Sequence, residues 1–227
     1  MRYGSVCPYY QDDSCTIYHG DCLEILPTLE SQSIDLLLTD PPYGVNLNVD
    51  NSRFSGGHNA SKRRQGSGTS GERRQSIAGD DSEFNPHFLL NYGRRQIIWG
   101  WNNYPDKLGR GGCLVWIKKN EASFGTFLGD AEIAFVSRAN GVYCHKDLSH
   151  NSEARFRKHP TQKPLSLFKW CLEKYSKWGE VILDPFMGSG TTLEAAKQLG
   201  RKAIGIELEE KYCEIAAERL QQEYMQF

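Results

Sequence analysis

No run of eighteen apolar residues occurs anywhere in the sequence, and none follows Met1. A membrane span and a signal peptide are therefore not expected. Cysteine pairing is also missing: Cys7, Cys15, Cys22, Cys113, Cys144, Cys171 and Cys213 are odd in number and never spaced CxxC. That spacing argues against a zinc knuckle or a disulfide framework, so no metal site is expected and the expected setting is a reducing cytoplasm. Neither sign of charge dominates, with a formal net charge of -1, which excludes a protein that coats nucleic acid by bulk charge. Internal repeats are absent. A chain of 227 residues buries a core without staples and suits a single domain, 1–227.

Short apolar runs rich in Ile, Leu and Val, bounded by Asp or Gly, predict buried parallel strands at 16–19, 34–39, 96–99, 113–117, 132–136, 181–183 and 202–206. Helical spacing predicts helices at 22–29, 165–177, 191–199 and 209–222. In the last of these Tyr212, Ile215, Ala216 and Leu220 share one face. Strands alternating with helices predict an α/β doubly wound architecture. Residues 48–82 break the pattern, being rich in Ser, Gly, Arg and Asn. From 51 to 79 six cations (Arg53, Lys62, Arg63, Arg64, Arg73, Arg74) face one anion, Glu72. This composition predicts a flexible surface loop, and one that closes on a phosphate backbone is compatible with it.

Two motifs carry chemistry. The first, Thr39-Asp40-Pro41-Pro42-Tyr43-Gly44, directly follows the apolar run 34–38. Ligands of open α/β sheets bind beyond the carboxyl ends of strands, so this one delivers a carboxylate, a stiff diproline and an aromatic ring to the crevice. An exocyclic amino group on adenine or cytosine is a poor nucleophile because its lone pair is delocalised into the ring. Hydrogen bonds from its two hydrogens to the Asp40 carboxylate and the Pro41 carbonyl would favour a tetrahedral nitrogen, ready to attack a methyl sulfonium. Tyr43 would stack on the base, an interaction worth about 1–3 kcal/mol. A plain strand-to-turn connection accounts for Asp-Pro and Pro-Pro equally well when the motif is taken alone.

The second motif is Val181-Ile182-Leu183-Asp184-Pro185-Phe186-Met187-Gly188-Ser189-Gly190-Thr191-Thr192, a strand, a glycine turn and a helix start. Gly188 and Gly190 admit a ligand close to the backbone, and the helix that follows presents free N–H groups. Asp184, Phe186, Thr191 and Thr192 belong to the same cradle. Glu207 lies 23 residues beyond Asp184 at the end of the next strand, where a carboxylate suits ribose hydroxyls. A nicotinamide-binding turn is the rival, but Leu193 stands where the third glycine of that fingerprint belongs.

Together these motifs resemble the DNA amino-methyltransferases of the beta group, in which the catalytic tetrad precedes the cofactor loop. Asp40-Pro41-Pro42-Tyr43 looks like the tetrad, and Asp184 to Thr192 like the loop. His159-Pro160-Thr161-Gln162-Lys163-Pro164 is similar to the segment that opens the helix before the cofactor strand. The resemblance implies S-adenosylmethionine as cofactor, with Thr161 and Lys163 near its methionine part and Asp21 near its adenine ring. Asp21 also reads as the cap of the helix at 22. The implied fold is the Rossmann-like S-adenosylmethionine-dependent methyltransferase fold, circularly permuted, with a seven-stranded mostly parallel sheet and helices on both faces. The permutation predicts strand 16–19 beside strand 202–206, with the two termini on one face.

The implied activity is transfer of a methyl group to adenine N6 in DNA, because many cytosine N4 enzymes carry Ser where Asp40 stands. Cytosine N4, an RNA substrate and a non-catalytic partner subunit are the alternatives. Phosphate contacts are expected from Lys62, Arg63, Arg64, Arg73, Arg74, Arg155, Arg157 and Lys158. Residues 138–158 form the expected target-recognition segment. Its shortness points to a short target site, or to recognition shared with the basic loop or with a second subunit in a homodimer.

Overall fold

The computed structural model describes residues 7–30, 33–44, 84–126, 129–148 and 162–221. Within them the chain divides into two compact units, Met1–Pro41 with Asn85–Phe227, and Pro42–Phe84. The second unit encloses the predicted loop 48–82, which lies outside the described residues. Its described part is Pro42–Gly44 and Phe84, all partly exposed.

The first unit is built on one sheet. Its strands are β1 (Tyr10–Gln11), β2 (Cys15–His19), β3 (Leu36–Thr39), β4 (Arg95–Trp99), β5 (Gly112–Ile117), β6 (Ala131–Val136), β7 (Val142–Lys146), β8 (Val181–Asp184) and β9 (Lys202–Glu207). Their spatial order is β1-β2-β9-β8-β3-β4-β6-β5-β7. Neighbours from β2 through β4 are parallel, as are β5 and β7, whereas β6 runs antiparallel to both its neighbours and β1 antiparallel to β2. Carboxyl ends of seven strands therefore share one edge, and β6 brings its amino end to that same edge.

Central strands are apolar because both of their faces are covered. Leu36, Leu37 and Leu38 of β3 point alternately to opposite faces, and each is 0% exposed. Burial of each leucine side chain contributes about 1.5–3 kcal/mol. On one face the core joins Leu36, Leu38, Ile97, Trp99 and Ile182 to Leu167, Phe168, Leu172, Leu193, Ala196 and Ala216. The latter belong to helices α2 (Leu165–Tyr175), α3 (Thr191–Gln198) and α4 (Glu210–Gln221). Helix α2 packs on α3, and α3 on α4. The short α1 (Cys22–Ile25) is capped by Asp21, whose carboxylate accepts the Leu23 amide at 2.8 Å.

The sheet has nine strands among the described residues, where the apolar runs predicted seven. β1 spans two residues, too few for any periodic signal. β7 reads Val-Tyr-Cys-His-Lys and is mostly exposed, so it carries no buried-strand pattern; it occupies part of the 138–158 segment expected to recognise the target. The permutation is borne out: β2 pairs in parallel with β9 from Cys15↔Ala203 to His19↔Glu207. Both termini lie outside the described residues.

If β2 is integral to the core, Ile17, which is 0% exposed, should be costly to truncate. Ile17→Ala is expected to lower the unfolding free energy by about 2–5 kcal/mol in urea titration; a loss under 1 kcal/mol would show β2 to be a peripheral addition.

Candidate active site

Strand β3 lies directly beside β8, with Leu36↔Ile182 and Leu37↔Leu183 in register. Their carboxyl tips are joined by a side-chain bond: the Thr39 hydroxyl donates to Asp184 Oδ1 at 2.7 Å. Thr192 at the start of α3 donates to Asp184 Oδ2 at 2.5 Å, and the Phe186 amide donates to Oδ1 at 3.1 Å. Asp184 is 2% exposed. Burial pushes its carboxyl up to about 6, against the lowering effect of the three donors.

The glycine turn that follows is held at both ends. Met187 donates its amide to the Ile206 carbonyl, and the Gly188 amide donates to Glu207 Oε2 at 3.0 Å. Gly190 caps α3 with φ +80, and a Cβ there would lie 2.7 Å from Ala216 Cβ. Only glycine fits both demands. Arg219 of α4 donates to the Ser189 carbonyl at 2.6 Å and pairs with Glu194. Glu207 accepts a second amide, from Glu209 at 2.8 Å, and burial raises its carboxyl above the usual range. Through the β2–β9 pairing, His19 is level with Glu207, and the Gly20 amide donates to the Glu207 carbonyl. Asp21 thus follows the tip beside Glu207.

Opposite the turn stands an ionic chain. The Lys163 side chain, 7% exposed, sets its ammonium 2.5 Å from Asp40 Oδ2 and 3.0 Å from Glu132 Oε2. Lys118 lies 2.7 Å from Glu132 Oε1. Burial would raise the Glu132 carboxyl, but Lys163 and Lys118 outweigh it and hold the group down at about 2. Between the chain and the turn is a cleft of about 370 Å³, mouth included, lined by Asp40 and Lys163 and by Asp184, Phe186, Gly188 and Thr191 among others.

Residues 114–218 match a family model described as DNA methylase. The chain is 29% identical to the type II methyltransferase M2.LlaDCHI of Lactococcus lactis subsp. cremoris, over 96% of this chain and 95% of that protein. It is 26% identical to the DNA adenine methyltransferase YhdJ of Escherichia coli (strain K12), over 97% and 87%. Among solved structures, the M1.HpyAVI–SAM complex aligns with TM-score 0.56 and 23% identity, over 92% of this chain and 100% of that one. PvuII DNA methyltransferase, cytosine-N4-specific, aligns with TM-score 0.62 and 14% identity, over 99% and 92%. Over nearly its whole length the chain is similar to DNA methyltransferases.

Of the residues singled out in this methyltransferase by sequence, Asp40, Lys163, Asp184, Phe186, Gly188 and Thr191 line one cleft. Asp21 and Glu207 sit together at the neighbouring strand tips, Thr192 supports the turn from within α3, and Gly190 caps that helix. Thr161 and the cations Lys62, Arg63, Arg64, Arg73, Arg74, Arg155, Arg157 and Lys158 lie outside the described residues. Pro42 and Tyr43 belong to the second unit. Sequence reasoning missed Glu132, Lys118, Gln162 and Arg219. Gln162, within the segment His159 to Pro164, accepts the Ser189 hydroxyl at 3.2 Å. Arg219 carries no signal in the apolar periodicity that marks its helix in the sequence.

Because Asp184 keeps its proton to about pH 6 when folded and ordinarily loses it near 3.8, its contribution to stability is full below 3.8 and lost as pH rises through 6. Asp184→Asn removes that titration. The stability of the wild type relative to the variant should fall by about 2–3 kcal/mol between pH 4 and 7 in urea unfolding; a pH-independent difference would contradict the assignment.

Proposed function

We propose that this methyltransferase moves a methyl group from S-adenosylmethionine to the exocyclic amino group of adenine, N6, in DNA. The observation that carries the reading is the meeting of Asp40 and the glycine turn 188–190 in one cleft, from strands far apart in the chain.

The cleft suits the cofactor on its own chemistry. A cradle with no room for a Cβ at Gly190, a buried acid at position 184 and a half-buried one at 207, and backbone amides at the start of α3 match a ligand with a diol, a positive charge and a carboxylate. Asp184, Phe186, Gly188, Gly190, Thr191 and Thr192 would hold it along the turn, Lys163 and Thr161 near its amino-acid end, and Glu207 and Asp21 at its nucleoside end. When bound, S-adenosylmethionine supplies an electrophilic methyl group.

This chain's residues act on the other reactant. The Asp40 carboxylate and the Pro41 carbonyl accept the two amino hydrogens, and the nitrogen lone pair is thereby released from the ring. Tyr43 stacks on the base, and Pro42 stiffens the segment between acid and ring. A base within a duplex is first extruded, at a cost of a few kcal/mol. The eight basic residues named from the sequence contact phosphates, and residues 138–158 read the target, alone or with a second copy in a homodimer. The enzyme works on DNA in the cytoplasm; no helix of the described residues is long and apolar enough to cross a membrane.

Adenine is preferred to cytosine because an acid opens the tetrad and because YhdJ is named an adenine enzyme. The fold likeness to a cytosine-N4-specific enzyme keeps cytosine as the second reading. Incubation with labelled S-adenosylmethionine and DNA, followed by nucleoside analysis, should yield N6-methyladenine; N4-methylcytosine as the sole product would overturn the choice of base. Asp40→Ala should lower kcat by about 10²–10³-fold or more while cofactor affinity by calorimetry stays within about threefold. Retained turnover in that variant would sink the mechanism.

A further inference from the structure

Glu132 has no place in the mechanism above. It stands next to the start of β6, in register with Trp116 on β5, on a strand otherwise apolar. Because β6 alone runs antiparallel between β4 and β5, its first residues arrive at the edge where the other strands end. The acid is thereby delivered to the cleft side of the sheet, where Lys163 reaches it at 3.0 Å.

Four charges alternate there: Asp40, Lys163, Glu132 and Lys118, with successive separations of 2.5, 3.0 and 2.7 Å. A buried ion pair is weak evidence for stability, since the cost of removing water offsets much of the attraction. What such a pair does supply is geometry. Rotation of an aspartate carboxylate about its terminal torsion is broad and nearly two-fold, so something must fix it. The Lys163 ammonium takes Oδ2 of Asp40, and this contact dictates the plane of the carboxylate. A lysine stem is itself flexible, with four rotatable carbons, so its ammonium needs a second anchor. Glu132 is that anchor, and Lys118 holds the far oxygen of Glu132 in turn. Tyr104, buried and bonded to the Trp99 carbonyl, lies near enough to Asp40 and Lys163 for its hydroxyl to feel both charges.

We propose that Glu132 is a positioning residue: through Lys163 it orients the Asp40 carboxylate toward the amino group of the target base. Its lowered protonation range keeps it ionised throughout neutral pH, so the anchor does not switch off under working conditions. The inference rests on the function proposed above for Asp40, yet part of its test does not need turnover.

The full-length protein with Glu132→Gln is the variant to make, and its circular dichroism should match the wild type. Expected is a fall in kcat of about 10–100-fold, on the order of the loss seen when a residue that orients a functional group is removed, with KM for DNA within about twofold. In a Lys163→Met background the same substitution should do nothing further, because Glu132 acts only through that lysine. Crystal structures of the cofactor-free wild type and Glu132→Gln should differ in the rotation of the Asp40 carboxylate. Unchanged kcat, a loss that adds fully to that of Lys163→Met, or an unmoved carboxylate would each overturn the proposal. Should Glu132→Gln fail to fold, Lys118→Met loosens the same carboxylate from its other side; lower kcat at constant KM supports the proposal and unchanged kcat refutes it. A wild type that methylates no base would instead refute the proposed function, while the crystallographic comparison still decides the orienting role.

Discussion

The hydrogen bonds converging on the Asp184 carboxylate are the constraint on which the rest of this site depends. An isolated carboxylate out of water is expensive, and it persists in a folded protein only with donors around it. Here the donors come from three separate places: Thr39 at the end of β3, Thr192 at the start of α3, and the Phe186 amide of the turn between. One buried group therefore specifies the distance from the β3 tip to the turn and the entry angle of the helix. Asp40 is the next residue after Thr39, so the acid proposed to face the base inherits its position from the acid that organises the glycine turn. The rise in the Asp184 carboxyl to about 6 shows that three donors only partly offset its desolvation.

Sheet topology places the remaining groups. In an open α/β sheet the carboxyl edge is the binding edge, and seven of the nine described strands end there. The chain order is permuted, with β2 closing against β9, so that Asp21 and Glu207 meet although one lies near the beginning of the sequence and the other near its end. The antiparallel β6 adds what a wholly parallel sheet would not: an acid from the beginning of a strand rather than from its end. Both devices bring charge to one edge without altering the apolar interior of the strands that carry it.

Much of this was legible in the sequence, for a physical reason. Buried strands must be apolar on both faces, and six of the seven predicted runs agree in extent with the observed strands to within one residue at each end; the seventh begins at 36 rather than 34, and the run at 132–136, expected to be parallel, is the antiparallel β6. The helices announced themselves by an apolar face and, for α1, by a capping Asp. The motifs at 39–44 and 181–192 were found because proline and glycine restrict the backbone in recognisable ways. Glu132 escaped because hydrophobic periodicity carries no strand direction: an acid beginning an apolar run looks like a solvent-exposed strand start, and only the pairing shows which edge that start occupies. β7 escaped because an edge strand with exposed side chains has no pattern to detect. Lys163 was assigned toward the cofactor by resemblance, and its contact with Asp40 depends on a distance between segments 123 residues apart, which spacing along the chain does not encode.

The electrostatic division of the cleft follows from these placements. On the side of Asp40 the four charges of the ionic chain sum to zero, two carboxylates against two ammonium groups. On the side of the turn, Asp184 and Glu207 are held by hydroxyls and amides rather than by cations, so their negative charge is not cancelled. Equal residue types thus behave oppositely: Glu132 between two lysines titrates at about 2, and Asp184 among neutral donors at about 6. A ligand bearing positive charge is favoured at the turn, where uncompensated acids await it. At Asp40 the nearby charges cancel at a distance, so short-range, directional hydrogen bonding is what selects a partner, in keeping with the neutral amino group proposed as its substrate.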